Sequence, residues 1–170
     1  MRVFMAINLS KETKERLEEI SKKIEKQVEK GKFIDPENKH ITMIFIGEIK
    51  NKDIGLVIDA IEENYFKPFE IEIGDMDRFK RNRGDICYLN VKRNDKLDEI
   101  NNMLRESLKS KGINFDNKKF KPHITIARDV IWDYENIKKV YNTNLKIKVG
   151  QINLMETVSG NNKVKYRVMY

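Results

Sequence analysis

The stretch "NKHITMIF" spans residues 38–45, and "FKPHITIA" spans residues 120–127. Both contain His-Ile-Thr, and between them they hold the only two histidines of the chain, His40 and His123. In an extended strand, residues i and i+2 face the same side. His40 then shares a face with Thr42, opposite Ile41 and Met43. His123 shares a face with Thr125, opposite Ile124 and Ile126. Each segment reads as a strand with an imidazole and a hydroxyl on one side and apolar anchors on the other.

The same order of elements surrounds both segments. "RVFMAINL" (2–9) reads as a buried strand, and Ser10 as the N-cap of a helix with Leu17, Ile20, Ile24 and Val28 on one face. Gly31 is expected to end that helix. Asp35-Pro36 marks a turn, and Gly47 closes the first His-Ile-Thr strand. A second helix is expected from Asn51 or Asp53, with Ile54, Val57, Ile58 and Ile61 on its apolar face. "FEIEIGDMDRF" (69–79) and "DICYLNVKR" (85–93), joined by "KRNRG" (80–84), read as a hairpin. Asn94 or Asp95 caps a third helix, with Leu97, Ile100, Leu104 and Leu108 as its core face and Gly112 as its end. After the second His-Ile-Thr strand, a short helix is expected around 134–142. A final hairpin joins 145–159 to 163–170 through the turn Gly160-Asn161-Asn162. The order helix, glycine, linker, His-Ile-Thr strand, helix and hairpin occurs twice, as in an internal duplication. The expected fold is therefore α+β and bilobal. Two pseudo-symmetric lobes would each carry an antiparallel sheet and helices, intertwined in a single domain of residues 1–170. The two His-x-Thr strands would line a central cleft.

Composition narrows the function classes. Hydrophobic residues make up 39% of the 170, enough for a core, and the apolar periodicity argues against disorder. Lys and Arg number 34 against 27 Asp and Glu, a net charge of +7, which favours acidic partners and nucleic acid first among them. The single cysteine, Cys87, excludes an intrachain disulfide and a Cys-rich metal site, and its apolar setting suits a core residue. "MRVFMAINLS" turns polar too soon for a signal peptide, and no apolar run approaches the ~18 residues of a membrane span. A reducing, cytoplasmic home, no membrane and a monomeric state are expected.

Two facing imidazoles suit one kind of chemistry. With an ordinary pKa of ~6.5, a neutral histidine can take a proton from a nucleophile while a charged one gives a proton to a leaving oxygen. Threonine hydroxyls can donate to non-bridging oxygens as charge develops. Together these groups suffice for cleaving a phosphodiester without a metal or other cofactor. Asp75 and Asp77 do not extend into an aspartate-rich metal motif and read as a solvated strand edge. No phosphate-cradling glycine loop is present, so ATP-dependent ligation has no support. Two histidines with no third ligand nearby give a zinc hydrolase only weak support.

The doubled His-x-Thr-x pattern resembles the two-histidine (2H) phosphoesterase superfamily. Within it, "MRVFMAI" (1–7), "PENKHITMIFIGE" (36–48), "RFKRNRGDICYLNV" (78–91) and "FKPHITIAR" (120–128) resemble the RNA 2′,3′-cyclic phosphodiesterases, historically called 2′-5′ RNA ligases. The resemblance implies metal-independent hydrolysis of a terminal 2′,3′-cyclic phosphate to a 2′-phosphomonoester, with reversible 2′-5′ ligation as an accompanying activity. It makes His40 the proton donor, His123 the proton acceptor, and Thr42 and Thr125 the phosphate-binding hydroxyls. The two motifs are too alike for the sequence itself to tell donor from acceptor. Arg128, five residues past His123, belongs near the phosphate by resemblance, although strict alternation puts it on the opposite face. Phe45 and Ile46 stand where the first motif would need a matching arginine. Partners would be RNA with 2′,3′-cyclic phosphate or 2′-phosphate ends, tRNA halves among them. Arg78, Lys80, Arg81 and Arg83 at the hairpin loop are RNA-contact candidates, with Phe79 packed inward. Lys118, Lys119 and Lys121 add charge before the second motif. Two other readings stay open: a 2H enzyme acting on a small nucleotide (an ADP-ribose cyclic phosphate or a 2′-5′ oligoadenylate), and a non-catalytic module that holds RNA ends.

Overall fold

The computed structural model describes residues 1–138 and 143–170. In chain order these form β1 (Arg2–Asn8), α1 (Lys11–Glu25), β2 (Lys30–Phe33), β3 (His40–Glu48), α2 (Ile54–Glu63), β4 (Phe69–Phe79), β5 (Asp85–Val91), α3 (Asp95–Ser110), β6 (His123–Ile131), β7 (Lys146–Val149), β8 (Asn153–Gly160) and β9 (Lys163–Val168). Short 3₁₀ turns at Pro36–Asn38 and Asn51–Asp53 lead into β3 and α2. The strands are antiparallel and run β7-β4-β5-β6-β3-β1-β8-β9, with β2 paired to β6 outside that path. The first His-Ile-Thr strand, β3, is thus flanked by β1, and the second, β6, by β5, which the doubled order assigns to the first unit. The halves meet where β3 touches β6, at the register pair Ile41–Ile124.

Local chemistry accounts for the helices. The Ser10 hydroxyl accepts from the Thr13 amide, and the Asn94 side chain accepts from the Leu97 amide, so each satisfies an otherwise orphan donor at a helix start. Leu97, Ile100, Leu104 and Leu108 are all buried, as their spacing requires. Gly112 follows α3 at φ +69°, the left-handed position that glycine fills without strain.

The helices cover one face of the sheet. Leu17, Ile24, Val57, Leu97 and Leu104 share a single apolar cluster with Val3, Met5, Ile7, Ile41 and Ile124. On the other face of β1, Phe4 and Ala6 join Met155, Phe45 and Tyr166 in a second, smaller cluster. That uncovered face carries the histidines. Cys87 lies in the main core, fully buried, and burial pushes its thiol up to about 12.

Three expectations need correction. Gly31 does not end α1: the helix closes at Lys26, whose amide bonds the Ile24 and Lys22 carbonyls, and Gly31 lies within β2. There a Cβ would sit 3.3 Å from the Phe33 ring and 3.4 Å from Val130, so the glycine serves close strand packing. The run 145–159 is not one strand. It breaks after Val149 because β7 pairs with β4 while β8 crosses to β1. The expected helix around 134–142 is only a turn up to residue 138, with the Asn136 and Ile137 amides on the Asp133 carbonyl, and residues 139–142 lie outside the described part.

Candidate active site

The site grows from the seam. Ile41 and Ile124 point into the core and are fully buried, so the residues flanking them emerge together on the other face. His40, Thr42, His123 and Thr125 all line one cavity of about 370 Å³. The structure therefore brings together the four residues that the doubled tripeptide singles out.

Both strands then do the same thing. Thr42 lies opposite Ala6 and Ile44 opposite Met5, leaving Met43 as an extra residue. Thr125 lies opposite Tyr88 and Ala127 opposite Cys87, leaving Ile126 extra. Each is a β-bulge, which resets the alternation of faces. The residue five past each histidine is thereby returned to the cavity side: Phe45 in one half, Arg128 in the other, and both line the cavity. Strict alternation would have turned Arg128 away. The first motif supplies no arginine of its own, but Arg2 of β1 lies over the Phe45 ring at 5.0 Å and lines the cavity on that side.

Each imidazole is held in the same manner. His40 Nδ1 donates to the Asn38 carbonyl at 2.7 Å, and His123 Nδ1 donates to the Lys121 carbonyl at 2.6 Å. A carbonyl only accepts, so Nδ1 carries the hydrogen and Nε2 is the atom left for chemistry. His40 Nε2 lies 3.0 Å from the Thr42 hydroxyl. Aromatic rings brace both: Phe4 and Tyr166 each lie 4.9 Å from the His40 ring, and Phe79 and Tyr88 each lie 5.2 Å from the His123 ring. Phe79 stacks on Tyr88 at 4.2 Å, and Lys121 Nζ donates to the Tyr88 hydroxyl at 2.9 Å. The inward packing expected of Phe79 is thus packing on the second histidine.

The sequence does not announce Asn38, Phe4, Tyr166 or Tyr88 as site residues, and it marks Lys121 only as added charge before the second motif. Asn38 and Lys121 act on the imidazoles through carbonyls, which any residue supplies. The rings arrive from strands distant in sequence. Only the position two residues before each histidine could have served as a signal.

Electrostatically the pair is poised toward the neutral form. Burial lowers the pKa of both imidazoles from the ordinary value, against the opposing pull of their carbonyl partners. The charge on Arg128 lowers both further; Lys121 adds to this at His123, and His123 and Lys14 add to it at His40. Arg128 is exposed, and the adjacent Asp129 carboxylate is held by Lys32 at 3.1 Å.

The hairpin-loop cations lie elsewhere. Arg78 bridges Asp85 at 3.1 Å and Glu135 at 3.5 Å, and lies 4.2 Å over the Tyr134 ring. Lys80, Arg81 and Arg83 are exposed and do not line the cavity. Asp77 is no solvated edge: its carboxylate accepts from the Tyr134 hydroxyl at 3.3 Å and from the Arg78 amide at 2.7 Å. Among the described residues, no group of three or more His, Cys, Asp or Glu side chains is placed to hold a metal ion, and no helix is long and apolar enough to cross a membrane.

Comparison with known proteins gives the family and the fold. The family model described as the 2′-5′ RNA ligase superfamily matches residues 9–161. A protein of Archaeoglobus fulgidus named RNA 2′,3′-cyclic phosphodiesterase is 32% identical over 130 residues, 75% of this chain and 72% of that one. A Thermotoga maritima protein of the same name is 31% identical over 131 residues, 75% and 70% of the two chains. Among solved structures, Escherichia coli LigT complexed with 3′-AMP superposes with a TM-score of 0.84 at 23% identity, over 99% of this chain and 94% of that one. A Thermus thermophilus protein superposes with a TM-score of 0.84 at 20% identity, over 100% and 96%. These structural likenesses establish a shared fold.

Proposed function

The chain belongs to the 2′-5′ RNA ligase superfamily, and from that premise we propose that it hydrolyses terminal 2′,3′-cyclic phosphates of RNA to 2′-phosphomonoesters. The relatives named RNA 2′,3′-cyclic phosphodiesterase support the reaction class. The observation that carries the reading is the pair of imidazoles, each held at Nδ1 by a backbone carbonyl, gathered with Thr42, Thr125 and Arg128 in one cavity.

In the proposed step, His123 Nε2 takes a proton from water as the water oxygen bonds to phosphorus. The bond from phosphorus to the 3′ oxygen breaks, and His40 Nε2 gives that oxygen its proton. The hydroxyls of Thr42 and Thr125 and the Arg128 guanidinium hold the non-bridging oxygens as charge gathers on them. The cycle closes when His123 loses a proton to solvent and His40 regains one. No metal takes part. A ribose hydroxyl in place of water would run the same path toward 2′-5′ ligation. The protein is taken to act as a monomer in the cytoplasm, on RNA ends such as those of cleaved tRNA.

The test is hydrolysis of an oligoribonucleotide ending in a 2′,3′-cyclic phosphate, with EDTA present and the product position identified. A 2′-phosphate should form, and His40→Ala and His123→Ala should each lower kcat by about 10²–10⁴-fold. Wild-type-like turnover in either variant, or complete loss of activity in EDTA, would overturn the mechanism.

A further inference from the structure

A second cavity, of about 850 Å³, opens beside the first. The two share Ile34, Asn38, Arg128, Val164 and Tyr166, so they form one continuous groove. The further cavity runs between β2 and the β8–β9 hairpin, and Lys32, Lys163 and Lys165 stand along it. Nothing in the proposed chemistry uses it.

We propose that this groove, between β2 and β9, is the track for the RNA strand leading to the terminal cyclic phosphate, with Lys163 and Lys165 meeting its phosphates. The proposal rests on the hydrolase reading and extends its substrate from a nucleotide to a strand. A 2′,3′-cyclic phosphate closes the 3′ end of an RNA, so the chain continues only from the 5′ side of the last ribose. One exit from the reaction cavity is needed, and the shared walls supply a continuous one.

Charge selects the occupant. The cavity is lined by the cations Lys32, Arg128, Lys163 and Lys165 and the carboxylates of Asp35, Glu37 and Asp129. Asp129 is neutralised by Lys32, and Glu37 by Lys14 at 3.5 Å. That leaves Arg128, Lys163 and Lys165 against Asp35, whose carboxylate already accepts the Glu37 amide. The surplus is positive and strung along an extended wall, which fits a polyanionic strand. Tyr166 stands at the junction of the two cavities, where its ring can take a base in stacking. Volume agrees, because 850 Å³ is near the top of the ~300–1,000 Å³ range of small-ligand pockets and adds to the reaction cavity.

The groove also has a rigid floor. The Asn38 side-chain amide donates to the Val164 carbonyl at 2.8 Å, and its oxygen accepts from the Tyr166 amide at 3.3 Å. The same residue receives His40 Nδ1 on its backbone carbonyl, so strand wall and catalytic imidazole share one anchor.

The experiment compares kcat/KM for 2′,3′-cyclic AMP with that for an oligoadenylate trimer ending in a 2′,3′-cyclic phosphate, across a salt series. Binding of a 5′-labelled trimer is followed in parallel by fluorescence anisotropy. The wild-type protein should favour the trimer. The double variant Lys163→Gln/Lys165→Gln should reduce that preference, on the order of tenfold at 0.1 M salt, and weaken trimer binding with a salt slope shallower by roughly 0.7 for each phosphate no longer neutralised. An unchanged preference and slope in this variant would overturn the track. So would loss of preference from Arg81→Gln/Arg83→Gln instead, which would move the strand to the β4–β5 loop. If neither substrate turns over, the hydrolase reading fails, and the anisotropy comparison alone then decides the track.

Discussion

At the scale of single residues, the two histidines differ in what surrounds them more than in their motifs. Burial lowers both, the charge of His123 adds to the lowering at His40, and the charge of Lys121 adds to it at His123. The donor role proposed for His40 requires its imidazole to be charged when substrate is bound, against that lowering. A phosphodiester anion in the cavity favours the charged imidazole nearest the leaving oxygen. The profile of kcat/KM reports the free enzyme, so with both imidazoles below their ordinary value it should peak below about pH 6.5 and fall as the pH rises toward 8. The profile of kcat should lie further to the alkaline side. A kcat/KM maximum at pH 8 or above would contradict the lowered pair. The two roles separate with a substrate whose 3′ oxygen is replaced by sulfur, because a thiolate leaves without being protonated. His40→Ala should recover at least tenfold on that substrate relative to the oxygen parent, and His123→Ala should not. Recovery in His123→Ala alone would exchange the two roles.

The four residues that meet in the cavity were legible because what singles them out lies in the side chain and their spacing is local: an imidazole and a hydroxyl two residues apart, twice. Asn38 and Lys121 were not, since their part is played by carbonyls. The rings against the histidines were also hidden. Phe4 and Tyr166 come from opposite ends of the chain, and only the sheet order brings them to His40.

At the scale of elements, the bulges after Thr42 and Thr125 decide what reaches the cavity. Alternation alone places Arg128 wrongly, and no residue type marks an extra residue in a strand. Pairing with β5 does, and that is a long-range fact. The hairpin loop proposed as an RNA contact also packs on the end of β6. Gly84 sits at φ +120°, and a Cβ there would lie 2.6 Å from the Asp129 carbonyl carbon, beside Arg128. Gly84→Ala should therefore cost about 1–3 kcal/mol in strain and lower Tm by several degrees. It should also raise KM by displacing Arg128. Gly55 in α2 faces open space: a Cβ there would meet nothing within 4 Å, and its φ is not positive. Gly55→Ala should stabilise by about 0.4–1 kcal/mol through the unfolded chain. Thermal unfolding of the two variants checks the pair, and an unchanged Tm for Gly84→Ala would refute that packing.

At the scale of the whole molecule, the doubled order of elements was readable, but the way the halves join was not. The sequence suggested lobes with a cleft between them. In the structure the strands form one path, joined at the short pairing of β3 with β6, and β2 pairs with β6 beside it. These few backbone pairs are not the whole of the join. The apolar cluster beneath it is continuous, taking in Ile41, Ile44 and Val3 from one half and Ile124, Ile126 and Leu89 from the other. The halves are therefore expected to unfold as one unit, since exposing either would open the shared core. Ile124→Ala removes a fully buried side chain at the centre of that seam and should cost about 2–5 kcal/mol. Trp132, the only tryptophan, follows β6 and donates to Asp85 at 2.9 Å, so its fluorescence reports the second half. Far-UV circular dichroism reports both halves. In urea the two signals should trace one coincident transition in the wild type, and in Ile124→Ala one transition at lower urea. If the variant instead splits into two transitions, with the fluorescence change first, the seam joins two autonomous lobes. The cleft would then be an interface free to open rather than a fixed cavity in a single core.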